Sequence, residues 1–242
     1  MARRRRNRSL GLVLMVVAVA IAVVAVFLTS GGDDGTSAIP SGAELLQQAS
    51  AAESAAGCEP VQTVSFYNGV TDTSSPDYTD QSHIGATGAF PAPPDLSTYP
   101  STPPASGPHD PTPLPAGVYD SPPSVYQSIH SLEHGGAIVW YAPGISSQAL
   151  DDLVAFYDQS ADQANVGQDR VIVAPYDYSN QGTAGELPSG VQMTLVAWHH
   201  LQTCTQVSLA AAFDFTSQYG FYSPPLLDRP YKGEAPEAGG AM

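Results

Sequence analysis

The sequence predicts an α/β or α+β domain, a single small mixed sheet with flanking helices, following one N-terminal transmembrane helix. Three observations lead there. After residue 58, short apolar runs of strand length alternate with amphipathic helical patterns, as expected of packed layers of both kinds. Hydrophobic residues make up 43% of the 242-residue chain, enough to bury a core. Close to the start, Leu10 to Leu28 runs without a charge or a strong polar group.

That apolar run, as a helix, spans roughly 28 Å, the thickness of a bilayer's hydrocarbon core. Arg3, Arg4, Arg5, Arg6 and Arg8 precede it and mark the cytoplasmic side. The expectation is a single-pass, N-in/C-out signal anchor in the cell membrane, with everything after Thr29 extracytoplasmic. A cleaved secretory signal shares the basic start, but its apolar run is usually only about 7–15 residues. The divisions are then a basic tip at 1–9, the anchor at 10–29, a tether and juxtamembrane helix at 30–57, and a domain at 58–242.

Five of the eight basic residues sit in that tip, leaving Arg170, Arg229 and Lys232 against all 23 acidic residues beyond residue 30. Such a surface repels phosphate backbones, which excludes nucleic acid as a partner of the domain. Membrane is the one partner the sequence specifies, and protein partners are not legible in it. Cys58 and Cys204 are the only cysteines. In an exported chain an even count predicts one disulfide, and their separation is far from that of a redox or metal pair.

Residues 31–40 form a Gly-rich tether, and an Ala-rich stretch from Ser41 to Gly57 reads as the juxtamembrane helix. Val61 to Tyr67 is β-branched and aromatic, a strand. From Pro91 to Pro123 there are 12 prolines in 33 residues, which no helix or central strand survives. The segment is either a disordered linker or an ordered loop wrapped on the domain. Ser124-x-x-Gln127 then opens a helix, with Val125, Ile129 and Leu132 on one face and Gly135-Gly136 as its stop. Ala137 to Tyr141 is a buried strand. A helix follows Ser146 with Leu150, Leu153, Val154 and Tyr157 as its stripe. Strands at Val171 to Ala174 and Val191 to Trp198 precede a helix at Val207 to Tyr219, where Thr205 to Leu209 also reads as strand.

Six histidines all lie beyond the anchor. His130 and His134 flank Ser-Leu-Glu133 at a spacing that stacks two imidazoles on one helix face, within reach of one metal ion. On a strand they would stand about 13 Å apart and could not share one. Pro108 and Pro111 restrain His109, which joins them as a candidate ligand together with His83. Glu133 is placed as an outer partner orienting an imidazole. His199-His200, after Trp198, reads as a solvated turn. Neutral imidazoles suit zinc and copper, with copper the tighter binder.

Ser106-Gly107-Pro108-His109, Gly117-Val118-Tyr119, the HSLEHGG run from His130 to Gly136, Tyr141, Trp198 and Ala235-Pro236-Glu237 together resemble the bacterial domain-of-unknown-function family numbered 3105. The resemblance covers roughly residues 58–237. It implies an anchored or exported bacterial protein and supplies no mechanism. The same His-x-x-Glu-His pattern occurs in inverted zinc proteases. Against that, Gly135-Gly136 ends the helix at once and only Glu186 is available at a plausible distance downstream as a third ligand.

The leading expectation is therefore an extracytoplasmic protein binding copper or zinc through a His/Glu site. The alternatives are a structural or interaction module of the cell envelope with no metal and no cofactor, and, third, a metal-dependent hydrolase. No catalytic residue is assigned.

Overall fold

The computed structural model describes residues 42–85, 89–162, 171–220 and 232–237. The Leu10–Leu28 segment lies outside them. Among the described residues, no helix is long and apolar enough to cross a membrane.

The elements run α1 (Gly42–Ala55), β1 (Gln62–Thr63), β2 (Gly117–Val118), α2 (Val125–Glu133), β3 (Ala137–Tyr141), α3 (Ser147–Asp162), β4 (Val171–Pro175), β5 (Met193–Ala197), β6 (His200–Cys204) and α4 (Leu209–Tyr219), with short 3-10 turns at 96–98 and 179–185. Among the described residues, six strands form one sheet in the order β1-β6-β5-β3-β4-β2. β3 pairs in parallel with β4, and β4 in parallel with β2; the other pairings are antiparallel. The mixed α/β sheet with flanking helices is thus the expected class.

β3, β4 and β5 are buried along their whole length, because both faces of the sheet are covered. Val139, Tyr141, Val171, Val173, Met193 and Leu195 face one way, against apolar residues of α1, α3 and α4. Ile138, Trp140, Ile172, Ala174, Val196 and Trp198 face the other way. There they meet Val125, Ile129 and Leu132 of α2 and, from the proline-rich segment, Leu96, Tyr99 and Leu114. Alternate residues of a strand point to opposite faces, so two cores grow from one set of apolar runs.

The proline-rich segment is therefore an ordered layer. Each proline lacks an N–H but keeps a carbonyl, and tyrosine hydroxyls serve those carbonyls. Tyr126 donates to Pro94 (2.6 Å), Tyr178 to Pro123 (2.7 Å), Tyr119 to Pro115 (2.7 Å) and Tyr99 to Pro108. Burial pushes the hydroxyls of Tyr99 and Tyr178 well above their ordinary range, so they remain donors at any physiological pH.

Two expectations are corrected. Val61 to Tyr67 stays in the sheet only at Gln62–Thr63. Beyond, the chain turns away because the Tyr67 N–H is taken by the Asp80 carboxylate at 2.7 Å instead of a neighbouring strand. His199 is not solvated: it is 2% exposed. It occupies the tight connection between β5 and β6, a strand absent from the sequence reading. The Ala-rich helix α1 packs on the core through Leu45, Leu46 and Ala52. Cys58 and Cys204 are joined as a disulfide between the end of α1 and β6.

Candidate metal centre

The site is built where α2 ends on the proline-covered face. Ser124 caps its start, accepting from the Gln127 N–H. At its end His134 is the last residue before a left-handed Gly135, φ +86°. The Gly135 N–H donates to Leu132 and the Gly136 N–H to Ser131, which closes a Schellman turn directly after the second histidine. His130 and His134 consequently stack one turn apart, rings 4.8 Å apart and nearly parallel.

Ser131, between them, ties the proline-rich layer to the helix. Its hydroxyl donates to the Leu114 carbonyl (2.8 Å) and accepts from the Leu114 N–H (2.9 Å). The neighbouring His109 is held by a short parallel bridge to the chain at His83. In that bridge the Ile84 N–H donates to the His109 carbonyl and the His109 N–H to the Ser82 carbonyl. Four imidazoles thus gather: His83 lies 5.0 Å from both His109 and His130, and His109 lies 4.9 Å from His130, centre to centre.

The ring nitrogens can be assigned from their partners. His109 Nδ1 lies 2.8 Å from the Gly107 carbonyl, His130 Nδ1 2.6 Å from the Asp110 carbonyl, and His134 Nδ1 2.9 Å from the Glu237 carbonyl. A carbonyl oxygen only accepts, so each Nδ1 carries the hydrogen. In a neutral imidazole the lone pair is then on Nε2. Those Nε2 atoms face one another and two carboxylates. His130 Nε2 is 2.8 Å from His134 Nε2, His109 Nε2 is 3.0 Å from Glu133 Oε2, and His134 Nε2 is 3.8 Å from Glu237 Oε2.

The centre is dry. His109 and Glu133 are fully buried, His130 is 4% exposed and His134 7%. Neither Glu133 oxygen accepts a hydrogen bond of good alignment, despite the short approach of His109. A buried carboxylate in that condition calls for a nearby positive charge. Burial, above all, lowers the pKa of His130, with its neighbouring imidazoles adding to the effect and the Asp110 carbonyl opposing it. His130 is therefore neutral and able to ligate at neutral pH.

Two sets of ligand atoms lie within 4.8 Å of one another: His83, His109 and His130, and His130, His134 and Glu237. All four histidines singled out in the sequence converge. Glu133 sits against the Nε2 of His109. Glu186 belongs to neither set. The sequence reading missed Glu237, whose only signal was its place in the Ala-Pro-Glu tripeptide. It reaches the site because its N–H donates to the Glu133 carbonyl while its own carbonyl takes the His134 Nδ1–H.

A fourth buried histidine, read from the sequence as part of a solvated turn, lies outside this cluster. His199, at φ +56°, places Nδ1 3.0 Å from the Val64 carbonyl and Nε2 3.0 Å from Asp80 Oδ2. Both nitrogens face acceptors, which makes this ring an imidazolium. Burial alone would lower its pKa, but the Asp80 hydrogen bond and charge, with the Val64 carbonyl, outweigh that and raise it. No metal-capable set includes it among the described residues.

The sequence profile of a family described as "Protein of unknown function (DUF3105)" matches residues 95–226, more than half of the chain. The matched span holds His109, His130, Glu133, His134, His199 and Cys204, and leaves out His83, Asp80 and Glu237. No curated protein and no solved structure matches.

Proposed function

Because the chain belongs to the DUF3105 family of proteins of unknown function, its role has to be argued from its own site, and we propose that it binds a transition-metal ion, copper or zinc, through His130 and His134 together with His109 and His83. One observation carries the reading. His130 and His134, both buried, each spend Nδ1–H on a backbone carbonyl and turn Nε2 toward each other. That is how protein ligands to zinc and copper are oriented: the outer hydrogen bond fixes tautomer and ring plane, leaving the lone pair for the ion. Without a cation, two lone pairs oppose each other at 2.8 Å between His130 and His134. Glu133 supplies the negative charge that a buried cation requires.

Titrating the purified full chain with Zn(II) and Cu(II) tests this, beside a His130→Ala/His134→Ala variant. The parent takes up near-stoichiometric metal, copper more tightly. A folded variant that binds as tightly as the parent refutes the site.

The competing reading is a structural or interaction module of the cell envelope. It is favoured by the His109–Glu133 contact, since an imidazolium–carboxylate pair satisfies both without an ion. A hydrolase fits less well, because Glu133 is fully buried and a general base must reach a metal-bound water.

The proposed location is the cell membrane, single-pass, with the described domain outside. The Leu10–Leu28 run and its arginines support it, as does the Cys58–Cys204 disulfide, which persists in oxidising compartments. A C-terminal reporter active only in the cytoplasm stays silent in this topology, and a strong signal from it refutes the orientation.

A further inference from the structure

Resting on the metal reading, we infer that the centre holds one ion at a time in either of two positions that share His130. The first is formed by His83, His109 and His130, the second by His130, His134 and Glu237. His130 belongs to both, yet it has only one nitrogen to give. Its Nδ1–H is committed to the Asp110 carbonyl at 2.6 Å, so Nε2, which faces His134 Nε2 at 2.8 Å, is its one ligand atom, and one lone pair binds one ion. For the ring to bridge two ions, Nδ1 would have to lose its proton and turn a lone pair on the carbonyl oxygen. Filling one position therefore strips the other of a ligand.

The two positions open in different ways. His83 is exposed, and the Glu237 side chain is 51% exposed, while the shared His130 between them is buried. An ion taken up at the His83 end reaches the Glu237 end by exchanging two ligands around a fixed imidazole. Sites that hold a metal for folding are closed on all sides by their ligands. Here each position has an exposed outer ligand, as suits a centre that accepts an ion on one side and passes it to a recipient on the other. The outer ligands are also separable from the fold. The tail at Glu237 docks through backbone atoms, and the His83 side chain is outside the core.

The experiment uses the purified full chain with Cu(II), native mass spectrometry for stoichiometry and electron paramagnetic resonance for ligand type. The variants are His83→Ala, Glu237→Gln and the two combined. The parent binds one ion per chain and shows two superposed copper signals, one nitrogen-rich and one with a carboxylate oxygen. Each single variant keeps one ion and one of the two signals, with affinity weakened only about 2-fold where the two positions are equally filled, while the combined variant loses roughly 10-fold or more. Two tightly bound ions per chain, or a single signal unchanged in both single variants, overturns the shared-ligand arrangement and leaves metal binding itself standing. A parent chain that binds neither Cu(II) nor Zn(II) removes both.

Discussion

Replacing Asp80 with alanine removes a fully buried carboxylate that accepts from two donors and pairs with His199. Oδ1 accepts from the Tyr67 N–H at 2.7 Å and the Ser106 hydroxyl at 3.0 Å, and Oδ2 faces His199 Nε2 at 3.0 Å. The substitution strands a charged imidazole with no counter-charge in the protein interior. Breaking a buried pair from one side costs about 3–5 kcal/mol. The two abandoned donors work in the same direction without adding in full, since water enters the space vacated. A loss of about 4 kcal/mol is therefore expected, a large share of the 5–15 kcal/mol typical of a domain. Urea unfolding followed by fluorescence of the buried Trp140 and Trp198 measures it. At a slope of about 2 kcal/mol per molar urea, the midpoint falls by about 2 M. Asp80→Asn isolates the charge, because the amide oxygen still accepts from Tyr67 and Ser106 while its NH₂ faces a now neutral His199. The raised pKa of His199 means the pair stabilises fully below its unfolded value of about 6.5 and loses that contribution as pH rises through the folded value. His130, lowered by burial, acts with the opposite sign, its contribution being lost as pH falls below about 6.5. The combined contribution of these two residues is thus greatest near pH 6.5, and Asp80→Asn abolishes its decline on the alkaline side only. An Asp80→Ala loss under about 1 kcal/mol, or an unchanged alkaline decline in Asp80→Asn, refutes the ion-pair argument.

Two further perturbations probe the frame around the site. Ser131→Ala leaves the Leu114 carbonyl without its 2.8 Å donor and costs about 1–3 kcal/mol in urea unfolding; it also lowers copper affinity by loosening His109, so a variant as stable as the parent removes the clamp assigned to this serine. Reducing Cys58–Cys204 frees a loop closed across 146 residues, worth about 5 kcal/mol in the chain-entropy treatment. A thermal midpoint unmoved by reductant shows that the bond constrains little.

Much of the scaffold was legible before any tertiary structure. The helix at Val125–Glu133 follows from local chemistry alone: a serine that caps, an apolar stripe at helical spacing, and a glycine pair that stops it. The apolar runs of β3, β4 and β5 could be recognised because burial on both faces demands continuous hydrophobicity. With only two cysteines there was one possible pairing. The convergence of His130 and His134 is a matter of helical pitch, which four residues of sequence contain in full.

What lay beyond sequence was set by contacts between distant segments. β6, His200–Cys204, reads as polar because it lies toward the edge, and its pairing with β5 depends on a two-residue connection that seats His199 in the left-handed region. Nothing near His199 announces a carboxylate 119 positions earlier, yet that carboxylate is what makes the buried imidazole tenable. Proline density rules out regular hydrogen bonding but carries no period from which order could be inferred. The layer forms because tyrosines distributed over residues 99–178 donate to proline carbonyls. Glu237 enters the centre only through backbone bonds to the end of α2. Local rules decide which residues become helix or strand, because those depend on neighbours a few positions away. Which polar groups meet in the interior depends on how the layers close, and that information is in the assembled fold.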